Sequence, residues 1–145
     1  MYRFNLESLL NHRRYQEDLL QRELADLKKR LATEKRKLQS LKKKMRKYLQ
    51  DLKQKQKKGH RASEIKLYFD FVDHISEETH AQYQKVVRAE RAFFLKREEL
   101  IGAMKKRKAL EKLKAKGWQT YQQKQLKKER DFMDEVAGRQ FHYEP

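Results

Sequence analysis

Residues 55–75, KQKKGHRASEIKLYFDFVDHI, decide how this chain folds. Before them, leucines recur at regular intervals through lysine-rich sequence. After them comes the densest apolar burst in the chain: Ile65, Leu67, Tyr68, Phe69, Phe71, Val72 and Ile75. Gly59 tolerates the positive φ of a helix end, and Ser63 is a residue type suited to capping the start of the next helix. The stretch therefore reads as a turn at about 58–63. Helix one is expected over about 3–57 and helix two over about 63–137, followed by a short C-terminal tail.

Periodicity on either side supports this division. Upstream, steps of three and four place positions 6, 10, 13, 17, 20, 24, 27, 31, 34, 38, 41, 45, 48 and 52 on one stripe. Eleven of these fourteen are apolar, interrupted by Arg13, Glu17 and Glu34. Downstream, the positions 65, 68, 72, 75, 79, 82, 86, 89, 93, 96, 100, 103, 107 and 110 include ten apolar residues. Thr79, Gln82, Lys96 and Arg107 interrupt that second stripe. Such seven-residue repeats are the mark of coiled coils. The two stripes are out of phase, because extending the first past 52 lands on Lys66, Phe69, Asp73 and Ser76. A one-residue skip in a continuous helix would also absorb the slip, but a turn gives each stripe a partner within the chain.

Charge favours the same answer. Residues 28–58 carry fifteen Lys or Arg against Glu34 and Asp51. Folding back sets beside them a segment, 62–92, in which six acids outnumber four cations. A parallel homodimeric rod would place the cationic stretch against its own copy, at a cost in like-charge repulsion. The expected fold is all-α: a single-domain antiparallel coiled-coil hairpin over 1–145 whose second helix is longer than the first. About twenty residues of helix two should then project past the N-terminus. There the apolar stripe thins to Trp118, Tyr121, Leu126, Phe132, Met133 and Val136, and residues 105–128 carry ten cations against Glu111. That overhang reads either as a docking element or as a solvated, fraying end.

Composition narrows the function. In 145 residues there are four glycines, one proline and no cysteine, with 41% charged residues. A chain so poor in turn residues is a long-helix protein or disordered, and its periodicity excludes the latter. Without cysteine there is no disulfide or thiol chemistry. The longest apolar run, Ala92–Leu95, is far short of a membrane span, and MYRFNLESLL lacks the core of a secretory signal. A cytoplasmic protein is the expectation. Histidines 12, 60, 74, 80 and 142 are scattered. Glu77-x-x-His80 has di-iron spacing but lacks the second copy such a site needs. No phosphate loop, nucleophile elbow or cofactor motif is present, so no enzyme, metal or cofactor is expected. The net charge of +17 admits an acidic protein partner, or alternatively nucleic acid as a basic coiled-coil binding protein. Near the turn, Leu67, Phe69 and Phe71 fall outside a two-helix seam. Phe69 and Phe71 can fold over its flanks, whereas Leu67 reads as part of an exposed contact patch.

The chain resembles the flagellar FliJ family of the bacterial type III export apparatus. The likeness lies in Phe4-x-Leu6-x-x-Leu9-Leu10-x-x-Arg13 followed by Glu17, and in the aromatic segment from Tyr68 to Ile75. It continues in Arg107-Lys108-Ala109-Leu110-Glu111-Lys112-Leu113, then Tyr121, Glu129 and Asp134-Glu135-x-Ala137. Order, spacing and total length carry it, since single pieces of coiled coil are alike. The resemblance implies a non-catalytic stalk or adaptor, similar to the γ shaft of rotary ATPases and to YscO-like injectisome proteins. It implies that the joined termini engage the hexameric export ATPase FliI and promote its assembly, with Arg107, Lys108, Lys112, Trp118, Tyr121, Phe132 and Glu135 as candidate contacts. It implies binding of the cytoplasmic domain of the export gate FlhA nearer the turn, with Leu41, Tyr48, Phe71 and Ile75 matching. Leu67 joins these as a candidate from its position outside the seam. Export chaperones are further implied partners, and the implied location is the cytoplasmic face of the inner membrane at the flagellar base. Leu41, Tyr48 and Ile75 are also seam positions, so Phe71 alone among the matching residues is free of a competing structural role.

Overall fold

The computed structural model describes residues 1–59 and 61–143, with side chains described through 140. It consists of α1 (Glu7–Lys57) and α2 (Ala62–Tyr143), and no strand occurs among the described residues. The helices pair antiparallel as a hairpin, and the second is the longer by 82 residues to 51. Packing divides the chain into two compact units. One is Leu19–Leu100, containing the turn; the other joins Met1–Asp18 to the α2 residues from Ile101 onward.

The reversal is short. The Lys58 amide donates to the Gln54 carbonyl at 3.1 Å, closing the last turn of α1. Gly59 follows with φ of +71°, the left-handed conformation in which a side chain is disfavoured. The Ile65 amide already donates to the Arg61 carbonyl at 3.2 Å, so Arg61 caps α2. Ser63 is therefore not the cap. It lies inside the first turn, because the left-handed glycine turns the chain tightly enough for helix to resume two residues earlier than Ser63 would require. At its far end α2 runs to Tyr143, beyond the expected limit near 137. Gly138 within it meets no neighbour and weakens the helix without ending it. The other difference lies at the start: residues 1–4 are not helical, and the Glu7 amide donates to the Phe4 carbonyl at 3.1 Å.

Both expected stripes face inward. All fourteen positions of the second are buried or half-buried, as are thirteen of the first, Leu6 being exposed. In the Leu19–Leu100 unit the buried apolar residues are Leu38 and Leu52 of α1 against Ile75, Val86 and Ala89 of α2. In the other unit they are Leu10 and Leu110. A two-helix seam is this thin because each helix has one partner and most of its circumference meets water.

Two polar interruptions of each stripe turn out to be partners across the helices, Glu34 with Gln82 and Glu17 with Arg107. Glu34 of α1 accepts a hydrogen bond from the Gln82 side-chain amide, which also donates to the Glu34 carbonyl at 3.0 Å. Glu17, 6% exposed, receives a two-pronged interaction from Arg107, whose Nη2 lies 3.3 Å from its Oε1. Lys96 reaches Glu23 at 2.8 Å and Glu99 at 3.2 Å. Thr79 donates back to the Ile75 carbonyl of its own helix at 2.6 Å. A buried polar group left alone costs far more than a paired one contributes. Each cross-helix pair therefore fixes the axial register of its unit more than it adds stability.

Candidate functional site

Two surfaces, one in each unit, carry the residues singled out by sequence. The first lies where the N-terminal segment meets α2. Tyr2, released from helix by the non-helical start, packs edge-on against Trp118 with ring centres 5.7 Å apart, and meets Tyr121 at the same distance. Trp118 and Tyr121 stack at 5.9 Å. The Tyr2 hydroxyl donates to the Lys114 carbonyl at 3.4 Å and occupies the space where a Cβ at position 117 would sit. Gly117 continues the second stripe, as do Lys114 and Tyr121, and all three are half-buried. Sequence reading missed this clasp. Its available signal was a glycine falling in phase with the seam, seven residues beyond Leu110.

An ion-pair network holds the same end. Arg107 binds Glu17 across the helices and Glu111 along α2 at 2.9 Å. Arg14 approaches Glu111 at 3.5 Å, and Lys114 approaches Glu7 at 2.9 Å. Arg107, followed by Arg14, holds the Glu111 carboxyl below its usual range. Of the residues implied to meet the ATPase, Arg107 is thus engaged internally and Tyr121 is half-buried in the clasp. Trp118 is packed on one face and 45% exposed; Lys108, Lys112, Phe132 and Glu135 are exposed. Past Tyr121, every described side chain to 140 is exposed except the half-buried Val136.

The second surface adjoins the turn. Phe71 stacks on Tyr48 with centres 6.0 Å apart and planes 10° from parallel, and Tyr48 also meets Tyr68 at 6.3 Å. Lys55 lies 4.2 Å over the Tyr68 ring, a cation–π contact that covers one aromatic face. Leu67, Phe69 and Phe71 are each about half exposed, at 57%, 48% and 52%. Leu41 and Tyr48 are half-buried in the seam, and Ile75 is 3% exposed. Phe71 therefore both packs on the seam and shows a face to water, and Leu67 and Phe69 are exposed to a similar degree.

No group of three or more His, Asp or Glu side chains able to hold a metal occurs among the described residues. His74 pairs with Glu78 at 2.9 Å, His80 approaches Gln84 at 3.4 Å, and His12 is exposed. The side chains of His60 and His142 lie outside those described. No helix of the described residues is long and apolar enough to cross a membrane.

Compared with known families, residues 2–145 match the family described as Flagellar FliJ protein. This chain belongs to the FliJ family. It is accordingly a coiled-coil component of the flagellar protein export apparatus. No curated protein and no solved structure gave a significant match. Within the FliJ framework the two exposed surfaces are candidate contacts with other components of the export apparatus.

Proposed function

We propose that this FliJ-family chain is a non-catalytic stalk of the hexameric export ATPase FliI. The observation that carries the reading is the stretch of α2 past Tyr121. It is continuous helix whose described side chains are exposed except the half-buried Val136, cationic at 124, 127 and 128, and studded with exposed Leu126, Phe132 and Met133. Isolated helix of this kind is marginal in water and gains its order by docking. Lys108, Lys112, Trp118, Phe132 and Glu135 offer side chains to a ring. Arg107 and Tyr121 contribute from within, by locking the two chain ends into one unit. A rod of this kind changes ring assembly or turnover by binding some subunit arrangements better than others, with no bond chemistry of its own.

The turn-adjacent aromatic surface is proposed to meet the cytoplasmic domain of the gate protein FlhA. Leu67 and Phe71 form the contact, Tyr48 backs Phe71, and Leu41 and Ile75 hold the seam beneath. Export chaperones are a further proposed class of partner. The proposed location follows from these partners: the cytoplasmic face of the inner membrane at the flagellar base.

The test is FliI hexamer formation and ATP hydrolysis with and without the protein. Full-length protein should raise both, and a chain ending at Tyr121 should lose the effect while keeping its helicity. An unchanged ATPase would refute the stalk. Phe71→Ala should weaken FlhA binding more than FliI binding; equal losses would refute the division between the two surfaces.

A further inference from the structure

The side of α1 turned away from α2 has a composition that the seam, the clasp and the aromatic surface leave unused. Between Lys29 and Lys57 the heptad positions farthest from the partner helix hold Lys29, Arg36, Lys43, Arg46, Lys47, Lys53 and Lys57. The remaining residues on that face are Ala32, Thr33, Gln39, Ser40, Gln50 and Gln54, so it contains no acid and no aromatic. All thirteen side chains are exposed. The flanks add cations rather than cancel them. The acids within the stretch are Asp51 and Glu34, and Glu34 is taken by Gln82. Across the helices Lys35, a flank residue, approaches Glu90 at 3.7 Å. The equivalent outer face of α2 in the same unit differs. It mixes Lys66, Arg88 and Arg91 with Asp70, Asp73, Glu77 and Glu98, and carries exposed Leu67, Val87, Phe94 and Leu95.

We propose that this outer face of α1 lies directly on an anionic phospholipid surface. The row extends for about 42 Å at ~1.5 Å per residue. A plane can touch all seven cations at once, each worth about 1 kcal/mol near an anionic leaflet. Nucleic acid fits the face less well. A straight helix entering a groove reads bases through a few residues of one end, and a duplex curves away from the rest of so long a row. Single strands are gripped by stacking on aromatic rings, and the face has none, since Tyr48 is turned into the seam against Phe71. An acidic partner helix would need an apolar stripe to bury, and Ala32 is the only apolar residue on the face. Seven exposed cations on one face with no acid, no aromatic and no apolar stripe among them are what select a lipid surface. This inference stands apart from the ATPase and gate readings, since none of its residues is assigned to either.

The experiment is co-sedimentation of the full-length protein with vesicles of phosphatidylcholine, alone or with about 30% phosphatidylglycerol, near physiological salt. Binding should require the anionic lipid and fall as salt rises. The triple variant K43Q/R46Q/K47Q, altered only at exposed positions and checked for unchanged helicity, should lower partitioning about a hundredfold, roughly fivefold per cation. The triple K124Q/K127Q/K128Q, equal in charge removed but placed on α2, should lower it less than tenfold. Equal losses from the two triples would overturn the proposal, as would comparable binding to neutral vesicles. So would a short DNA duplex or single strand that strips the wild-type protein from the vesicles at the same salt.

Discussion

Glu17 and Arg107 look in sequence like two unrelated flaws in two apolar stripes. They are one interaction. Glu17→Ala leaves Arg107 with Glu111 as its charged partner in a half-buried position, and should cost about 1–3 kcal/mol of unfolding free energy. Measured by urea melts, the double variant Glu17→Ala/Arg107→Ala should be less destabilised than the sum of the singles, by at least ~0.5 kcal/mol. Strict additivity would mean the pair is not coupled. Gly117 makes the complementary point. Alanine there should gain about 1 kcal/mol in helix propensity, yet its methyl overlaps the Tyr2 hydroxyl. The expected result is a helix kept or strengthened while Tyr2 is expelled. Because Trp118 is the chain's single tryptophan, its fluorescence reports the loss directly; an unchanged spectrum would exclude the clasp.

At the scale of the elements, what holds α1 to α2 is a thin apolar seam punctuated by charge pairs, and its pH response follows. Glu34 has a lowered pKa, chiefly through the Gln82 hydrogen bond, and Glu111 has one chiefly through Arg107. A carboxyl whose folded pKa is depressed contributes stability above its unfolded pKa and loses it as pH falls through the folded value. Acid therefore weakens the hairpin, and protonation also raises an already large positive charge, which adds repulsion. The thermal midpoint followed by circular dichroism should hold near neutrality and fall below about pH 4, the ordinary carboxylate range. A midpoint that rises in acid would contradict the pairing. The helices themselves were legible because their signal is local: stripes, phase and the left-handed Gly59 repeat or act within a few residues. The cap was not legible. Arg61 serves through its backbone carbonyl, which no side chain advertises, whereas Ser63 carried the expected side chain two residues too late.

For the whole molecule, the antiparallel pairing satisfies each stripe within one chain, so no second copy is needed to cover the seam. Light scattering should give about 17.8 kDa. Twice that value, persisting on dilution, would mean the stripes are shared between chains. Membership of the FliJ family was legible from the order and spacing of motifs along the full length, which is why it needed no single diagnostic residue. The candidate surfaces were legible only in part. Leu67 and Phe71 could be placed outside the seam by counting heptads. The count left undecided that Phe71 would stack on Tyr48, that Arg107 would be spent internally, or that Tyr2 would cap the seam at Tyr121.

The division has one physical cause. Hydrophobic periodicity, charge balance and turn chemistry are properties of neighbouring residues, so the sequence alone determined two helices, their unequal lengths, the turn and the antiparallel sense. A seven-residue stripe, however, looks the same after sliding by one heptad, about 10 Å along the axis. Only tertiary structure decided the register, by bringing Glu17 to Arg107, Glu34 to Gln82 and Tyr2 to Gly117. These contacts join residues far apart in the chain, and each is favourable in one alignment and costly in the next.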